Sequence, residues 1–165
     1  VPAQRLTVIH APGQPNRYRL EGLPPSTNAP PQELAGDAAM VPFAGSDFWL
    51  ADLGLEYFHW AEHRLDDAAR IRMRKGRPCK VLESVNRAPG ARGYTRVRSW
   101  IDRETGKPIL AEAYGSDRKL LREFEIGGVT KVDGVWQLKN MEMRDLQADS
   151  VTVLEFQYEQ RADAD

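Results

Sequence analysis

Beyond residue 69, apolar and polar side chains alternate in short runs, broken by Gly, Pro, Asn and Asp. Alternation with period two sends successive side chains to opposite faces, which is the pattern of a half-buried strand. In Ala69–Lys75, Ile71 and Met73 alternate with Arg70, Arg72 and Arg74. Cys79–Val85 follows the break at Gly76-Arg77-Pro78. Tyr94–Asp102 sets Thr95, Val97, Ser99 and Ile101 against Tyr94, Arg96, Arg98 and Trp100. Pro108–Tyr114, Lys119–Ile126, Val129–Val132, Val135–Asp145 and Ser150–Gln157 continue the series. Turns are expected at Glu104–Lys107, where Gly106 accepts positive φ, and at Asp133-Gly134, a pair suited to a primed hairpin turn. Strands joined by links this short cannot run parallel, since parallel pairs need long crossovers. The segment 69–158 therefore reads as an antiparallel meander of about seven or eight strands.

The first half is organised differently. Arg5–His10 and Tyr18–Leu23 carry strand patterns and are candidates for the same sheet. Between Leu23 and Pro42 lie five prolines, which predicts a long irregular loop. Residues 1–42 thus form an irregular part with one or two strands. Residues 43–65 are the most apolar and aromatic part of the chain, with Phe48, Trp49, Leu50, Leu53, Leu55, Tyr57, Phe58, Trp60 and Leu65. Ser46-Asp47 stands where a helix cap would, so a helix is expected to begin there. This segment is either the plug of a core or the wall of a pocket, and periodicity alone does not separate the two. The tail Gln160–Asp165 has no apolar period and is expected to fray.

At 165 residues the chain fits one domain. No apolar run approaches the ~18 residues needed to span a bilayer. Its single cysteine, Cys79, cannot form a disulfide within the chain. Net charge is −1, which argues against a nucleic-acid partner held by overall charge. Charge is nevertheless uneven: His63–Arg103 holds twelve Lys/Arg against four acids. That basic stretch could meet an anionic surface, or it could be strand faces bearing solvated arginines.

Two constellations invite a chemical reading. His59-Trp60-Ala61-Glu62-His63 matches the inverted zinc-peptidase pattern, in which His59 and His63 share a helix face and bind a metal while Glu62 serves as base. No third ligand is apparent, and Gly54 and the aromatic density disfavour a continuous helix. Cys79 near Lys75, Arg77 and Lys80 could form an activated thiolate, but at a strand start it reads first as a small buried hydrophobe. There is no nucleophile elbow, phosphate-binding glycine loop or dinucleotide fingerprint. No cofactor and no catalytic residue are expected.

An ordered set of short motifs carries a resemblance. Phe43-Ala44-Gly45-Ser46-Asp47-Phe48-Trp49-Leu50-Ala51-Asp52-Leu53 resembles the Gly-[Thr/Ser]-Asp-Phe-x-x-x-Asp-Leu signature of the outer-membrane lipoprotein-sorting proteins, the LolA-like family. Cys79–Ser84 is similar to its Cys-x-Val-Leu-Glu strand, Tyr94…Trp100-Ile101-Asp102 to its Tyr…Trp-Ile-Asp segment, and Ala113–Leu121 to its Tyr-Asp-x-x-Gly-Lys-Leu-Leu hairpin. Gly134-Val135-Trp136, Met141–Asp145 and Thr152-Val153-Leu154 complete the order. One departure is Arg118, which stands where the hairpin usually has Gly.

The resemblance implies a mainly β (α+β) fold, an antiparallel meander curved into an unclosed half-barrel with helical segments covering its concave face. It implies a non-enzymatic carrier in the periplasm of a diderm bacterium, its signal peptide removed, that holds lipid or lipoprotein acyl chains and meets an envelope transporter or outer-membrane acceptor. The groove is then expected to be lined by Phe48, Trp49, Leu53, Tyr57, Phe58, Trp60, Trp100, Tyr114, Trp136, Met141 and Met143, with Arg96 and Arg98 at a headgroup rim. Two alternatives remain at this point: an interaction or sensor module with a filled core, and a zinc hydrolase using His59, Glu62 and His63.

Overall fold

A computed structural model describes residues 2–66, 70–87, 89–90 and 93–159. The expected strand start at Ala69 and the tail from Gln160 lie outside the described residues. Eleven strands run in chain order: β1 (Gln4–Ile9), β2 (Arg17–Gly22), β3 (Gln32–Ala35), β4 (Glu62–Asp66), β5 (Arg72–Arg74), β6 (Arg77–Val85), β7 (Arg96–Asp102), β8 (Pro108–Tyr114), β9 (Leu120–Val132), β10 (Val135–Asp145) and β11 (Ser150–Glu155). Strands β4–β11 form one antiparallel sheet in the order β11-β10-β9-β8-β7-β6-β4, with β5 folded back onto β6. Its end strands, β11 and β4, are not paired to each other, so the sheet is not closed into a barrel. Strands β1–β3 make a separate three-stranded antiparallel sheet rather than extending the large one. β3 falls in the stretch whose prolines predicted an irregular loop.

Helix is minor. Between β3 and β4 lie one α-helical turn, α1 (Leu50–Leu53), and two 3₁₀ turns at Gly36–Ala39 and Glu56–His59. Helix α1 starts later than Ser46, and its cap comes from within: the Asp52 carboxylate accepts the Trp49 N–H at 2.8 Å. Ser46 instead accepts the Phe48 N–H at 3.2 Å. The helix ends where Leu55 enters the left-handed region at φ 48°. Gly54 precedes it because Tyr18 crosses there; a Cβ would sit 2.6 Å from the Tyr18 ring. Among the described residues no helix is long and apolar enough to cross a membrane.

Residues 40–60 form a plug against one face of the large sheet, called here the inner face. The register places Ser84, Val97, Ser99, Ala111, Ala113, Phe124 and Met143 along that face. Four of these seven side chains are Ser or Ala, and all seven are buried. Small residues on a strand face leave volume for something bulkier opposite, and the plug supplies Phe48, Trp49, Leu50 and Tyr57. Tyr18 from β2 closes the same core from the far side, with Leu6, Val8 and Leu34 packed against it.

The outer face has its own smaller core of Cys79, Val81, Trp100 and Leu110. The β5–β6 hairpin straps it: the Arg74 guanidinium lies 5.1 Å from the Trp100 ring and 3.5 Å from Glu112, and Lys75 pairs with Glu125 on β9. Here Ile71 and Met73 are the exposed side chains, while Arg72 and Arg74 face inward. Asp133 and Gly134, at φ 47° and 78°, make the expected hairpin turn. Arg118, at φ 62°, occupies a left-handed position of the kind that favours glycine.

Strands β9 and β10 outrun their neighbours. They span 13 and 11 residues, against seven in β8 and six in β11. Pairing to β8 ends at Glu125 and pairing to β11 ends at Asn140, so the far half of the hairpin overhangs the sheet as a two-stranded ribbon. Gly127 and Gly128 do not interrupt β9, contrary to the two separate strands expected there. They face a register irregularity at Leu138–Met141 that re-aims the ribbon.

Candidate functional site

The residues expected to line a groove fall into three places. Phe48, Trp49, Tyr57, Met141 and Met143 are buried, and Leu53, Phe58 and Trp60 pack on the same cluster. They form the plugged core itself, with Tyr57 in ring contact with Phe58 and Trp60. Trp100 and Tyr114 lie on the outer face, because Trp100 pairs with Leu110 and Tyr114 with Arg96 in the register opposite to Val97 and Ala113. They share no wall with Phe48. Trp136 alone, 58% exposed, stands on an open apolar surface.

The headgroup arginines are likewise engaged elsewhere. Arg96 stacks on Tyr114 at 4.4 Å and reaches Glu83. Arg98 binds Asp66 at 3.2 Å and lies over Trp100. With Arg64–Glu83, Arg72–Asp66 and Arg77–Asp102, five arginines of the basic stretch pair with acids on the outer face.

The zinc pattern does not assemble. His59 ends a 3₁₀ turn and Glu62 and His63 are consecutive strand residues, so the three cannot share a helix face. His59 stacks on His10 at 4.7 Å, His63 bonds the Ser84 hydroxyl at 2.9 Å, and Glu62 pairs with Arg87. No cluster of three His, Cys, Asp or Glu suited to a metal occurs among the described residues. Cys79 is buried, and desolvation pushes its thiol up, away from thiolate reactivity.

The signature residues Asp47 and Asp52 turn out to be a clasp. Asp47 accepts the hydroxyls of Ser150 at 2.6 Å and Thr152 at 2.7 Å, and its N–H donates back to Thr152. Asp52 accepts the Tyr94 hydroxyl at 2.9 Å. Between them Arg122 donates to the Asp47 carbonyl at 2.5 Å and to Asp145 at 3.1 Å, and lies 3.6 Å from Asp52. Trp49 is held flat between Tyr94, at 4.8 Å, and the Arg122 guanidinium, at 3.9 Å. A polar depression of about 400 Å³ opens beside Trp49 and Arg122, where the guanidinium is already engaged by Asp47, Asp52 and Asp145.

Burial pushes the Asp52 carboxyl up from 3.8 to about 6, and the Trp49 N–H, Arg122 and the Tyr94 hydroxyl pull it back. A carboxyl that holds its proton more tightly folded than unfolded contributes most below about pH 4. Its contribution declines as pH rises through about 6, with a limiting slope of about 1.4 kcal/mol per pH unit. Asp52→Asn is expected to flatten stability against pH in that window alone. Urea midpoints at pH 4 and pH 6 for both proteins check this, and parallel curves would refute it.

The large apolar opening lies elsewhere. A cavity of about 600 Å³ sits beneath the β9–β10 overhang, lined by Leu55, Pro108, Ile109, Ile126, Trp136 and Leu138, with Val129 beside them. Thr105, Lys107 and Gln137 complete the rim. Its volume lies within the range of small-molecule sites, roughly 300–1,000 Å³. Leu55 reaches it because the left-handed residue after α1 throws the chain outward. Pro108 and Ile109 come from β8, and Ile126, Trp136 and Leu138 from β9 and β10, whose far half no third strand covers. Apart from Trp136, the sequence reading missed these residues. The available signal was the run Val129, Val132, Val135, Trp136, Leu138 on a hairpin longer than its neighbours.

Three solved structures share the fold. A DUF1329 family protein from Desulfovibrio piger matches with TM-score 0.72 and 18% identity, over 92% of this chain and 61% of that one. A putative outer-membrane lipoprotein-sorting protein domain from Vibrio parahaemolyticus matches with TM-score 0.68 and 16% identity, over 98% and 78%. A LolA superfamily protein from Nitrosomonas europaea matches with TM-score 0.63 and 17% identity, over 96% and 78%. The chain thus spans less than two thirds of the Desulfovibrio protein. No curated protein matches the sequence. A family model described as "Uncharacterized protein" matches residues 25–163, from the proline-rich stretch through β11, and the chain belongs to that family and has the fold seen in the LolA superfamily.

Proposed function

We propose that the protein is a non-enzymatic carrier that holds an acyl chain of a lipid or lipoprotein in the cavity under the β9–β10 overhang. The observation that carries this reading is the cavity itself, about 600 Å³ with walls of Leu, Ile, Val, Pro and Trp. Burying an alkyl chain there contributes about 0.8 kcal/mol per CH₂, so affinity needs no reacting group. The shared fold supports the reading, since one of the similar structures is described as a lipoprotein-sorting domain. On this reading the protein works in the envelope of a diderm bacterium and passes its cargo to an envelope transporter or an outer-membrane acceptor.

The site differs from the groove expected from sequence. The plug fills the inner face, so the ligand sits at the end of the sheet rather than across it. That filled face also favours a second reading, an interaction or sensor module. Lipid loading separates the two. Protein exported to the periplasm of a diderm host should carry acyl chains detectable by mass spectrometry. Val129→Asp with Trp136→Ala, both exposed positions, should cut loading about tenfold, a change of about 1.4 kcal/mol. Unaltered loading, or none in the parent protein, decides for the module.

A further inference from the structure

We propose that the cavity selects an anionic single-chain amphiphile, its head met by Lys107 and Lys131. This rests on the acyl-chain reading above and names the class of ligand. Lys107 stands on the rim, in the β7–β8 turn beside Pro108 and Ile109. Lys131 pairs across the ribbon with Trp136, and its ammonium lies 5.9 Å from the Trp136 ring. Lys107 thus borders the opening itself, and Lys131 stands by the ring of Trp136, one of its walls.

Neither ammonium is neutralised. Lys75 and Lys119 have carboxylate partners in Glu125 and Asp117, whereas Lys107 and Lys131 have none among the described residues. Nor does any carboxylate among the described residues line the cavity. The acids near the β7–β8 turn are committed elsewhere: Asp102 and Glu104 both pair with Arg77. Two unpaired ammonium groups, one at the rim of an apolar hollow and one by its Trp136 wall, match a molecule with one charged end and one alkyl end. Complementary charge raises association and rejects the opposite sign, while the hollow pays only for the tail. A lysine serves here as a mobile point charge, so carboxylate and phosphate heads are both admissible.

Calorimetric titration of the full chain with four twelve-carbon surfactants below their micellar concentrations tests the proposal. Dodecyl phosphate and laurate should each bind about tenfold tighter than neutral dodecyl maltoside, with dodecyltrimethylammonium weakest. Lys107→Gln with Lys131→Gln should bring the anions down to the level of maltoside measured on the same variant. An advantage for the phosphate points to a phospholipid-type head and one for laurate to a free fatty acid; either supports the proposal. Equal binding of all four, or an anion preference that survives in the double variant, overturns it while leaving acyl-chain binding in place. Binding of none removes the acyl-chain reading as well. Capture of phosphatidylglycerol vesicles without binding of the monomeric anions would assign the lysines to a bilayer surface and overturn it too.

Discussion

Arg122→Met is expected to lower the unfolding free energy by about 3–5 kcal/mol, the range for removing one partner from a buried charge cluster. Arg122 is buried among Asp52, Asp145, the Asp47 carbonyl and the Trp49 ring. Methionine keeps much of the volume against Trp49 but removes the cation that both Asp52 and Asp145 meet. The large part of the loss is therefore electrostatic, and Arg122→Met with Asp145→Asn should recover some of it. Urea denaturation at neutral pH measures both. A loss below about 1 kcal/mol would mean that water reaches Asp52 and Asp145, and that the clasp is a surface ion pair.

Phe48→Ala should cost a similar amount, about 3–5 kcal/mol, for a different reason. Phe48 is fully buried and meets Phe124 edge-on at 6.0 Å. The same buried cluster carries Val97, Ala111 and Ala113 from β7 and β8, short side chains with few atoms to move into the vacancy. The cavity term should therefore be near the top of its range, since cost rises with the volume that cannot collapse. Ser99→Ala, on the same wall, removes a hydroxyl with no hydrogen-bond partner among the described residues and supplies a contrast within the same denaturation series. A Phe48→Ala loss as small as that of Ser99→Ala would show that the plug is loosely seated.

The meander was legible because its signals are local. Asp133-Gly134 and Glu104–Lys107 are turns whose chemistry is written in the turn residues, and the alternation in Tyr94–Asp102 assigns two faces. What alternation cannot say is which face is covered. In β5 the aliphatic side chains point to water and the arginines lie over Trp100 and beside Glu112. In β7 and β8, Trp100 and Tyr114 lie across the sheet from the plug, although the groove expected from the resemblance grouped them with Phe48. The better guide to the plug was the run of Ser and Ala on the opposite parity, a pattern of absence that is easily overlooked. The signature motif was correctly located, but its acids hold the fold together, because their partners at 122, 145, 150 and 152 are distant in sequence. The cavity was missed since it depends on strand lengths relative to one another, which single-strand patterns do not encode.

The clasp also dictates an order of events during synthesis. Asp47 leaves the ribosome about a hundred residues before the hydroxyl groups that fasten it, the separation from Thr152 being 105 positions. Until that last strand emerges, Phe48 and Trp49 have an incomplete wall to rest on, and long-range closure of this kind is slow. The nascent chain therefore passes through a stage in which its greasiest segment is uncovered, and a holding chaperone would find its target there. A chain that stops before residue 150 would lack the two hydroxyls that fasten Asp47.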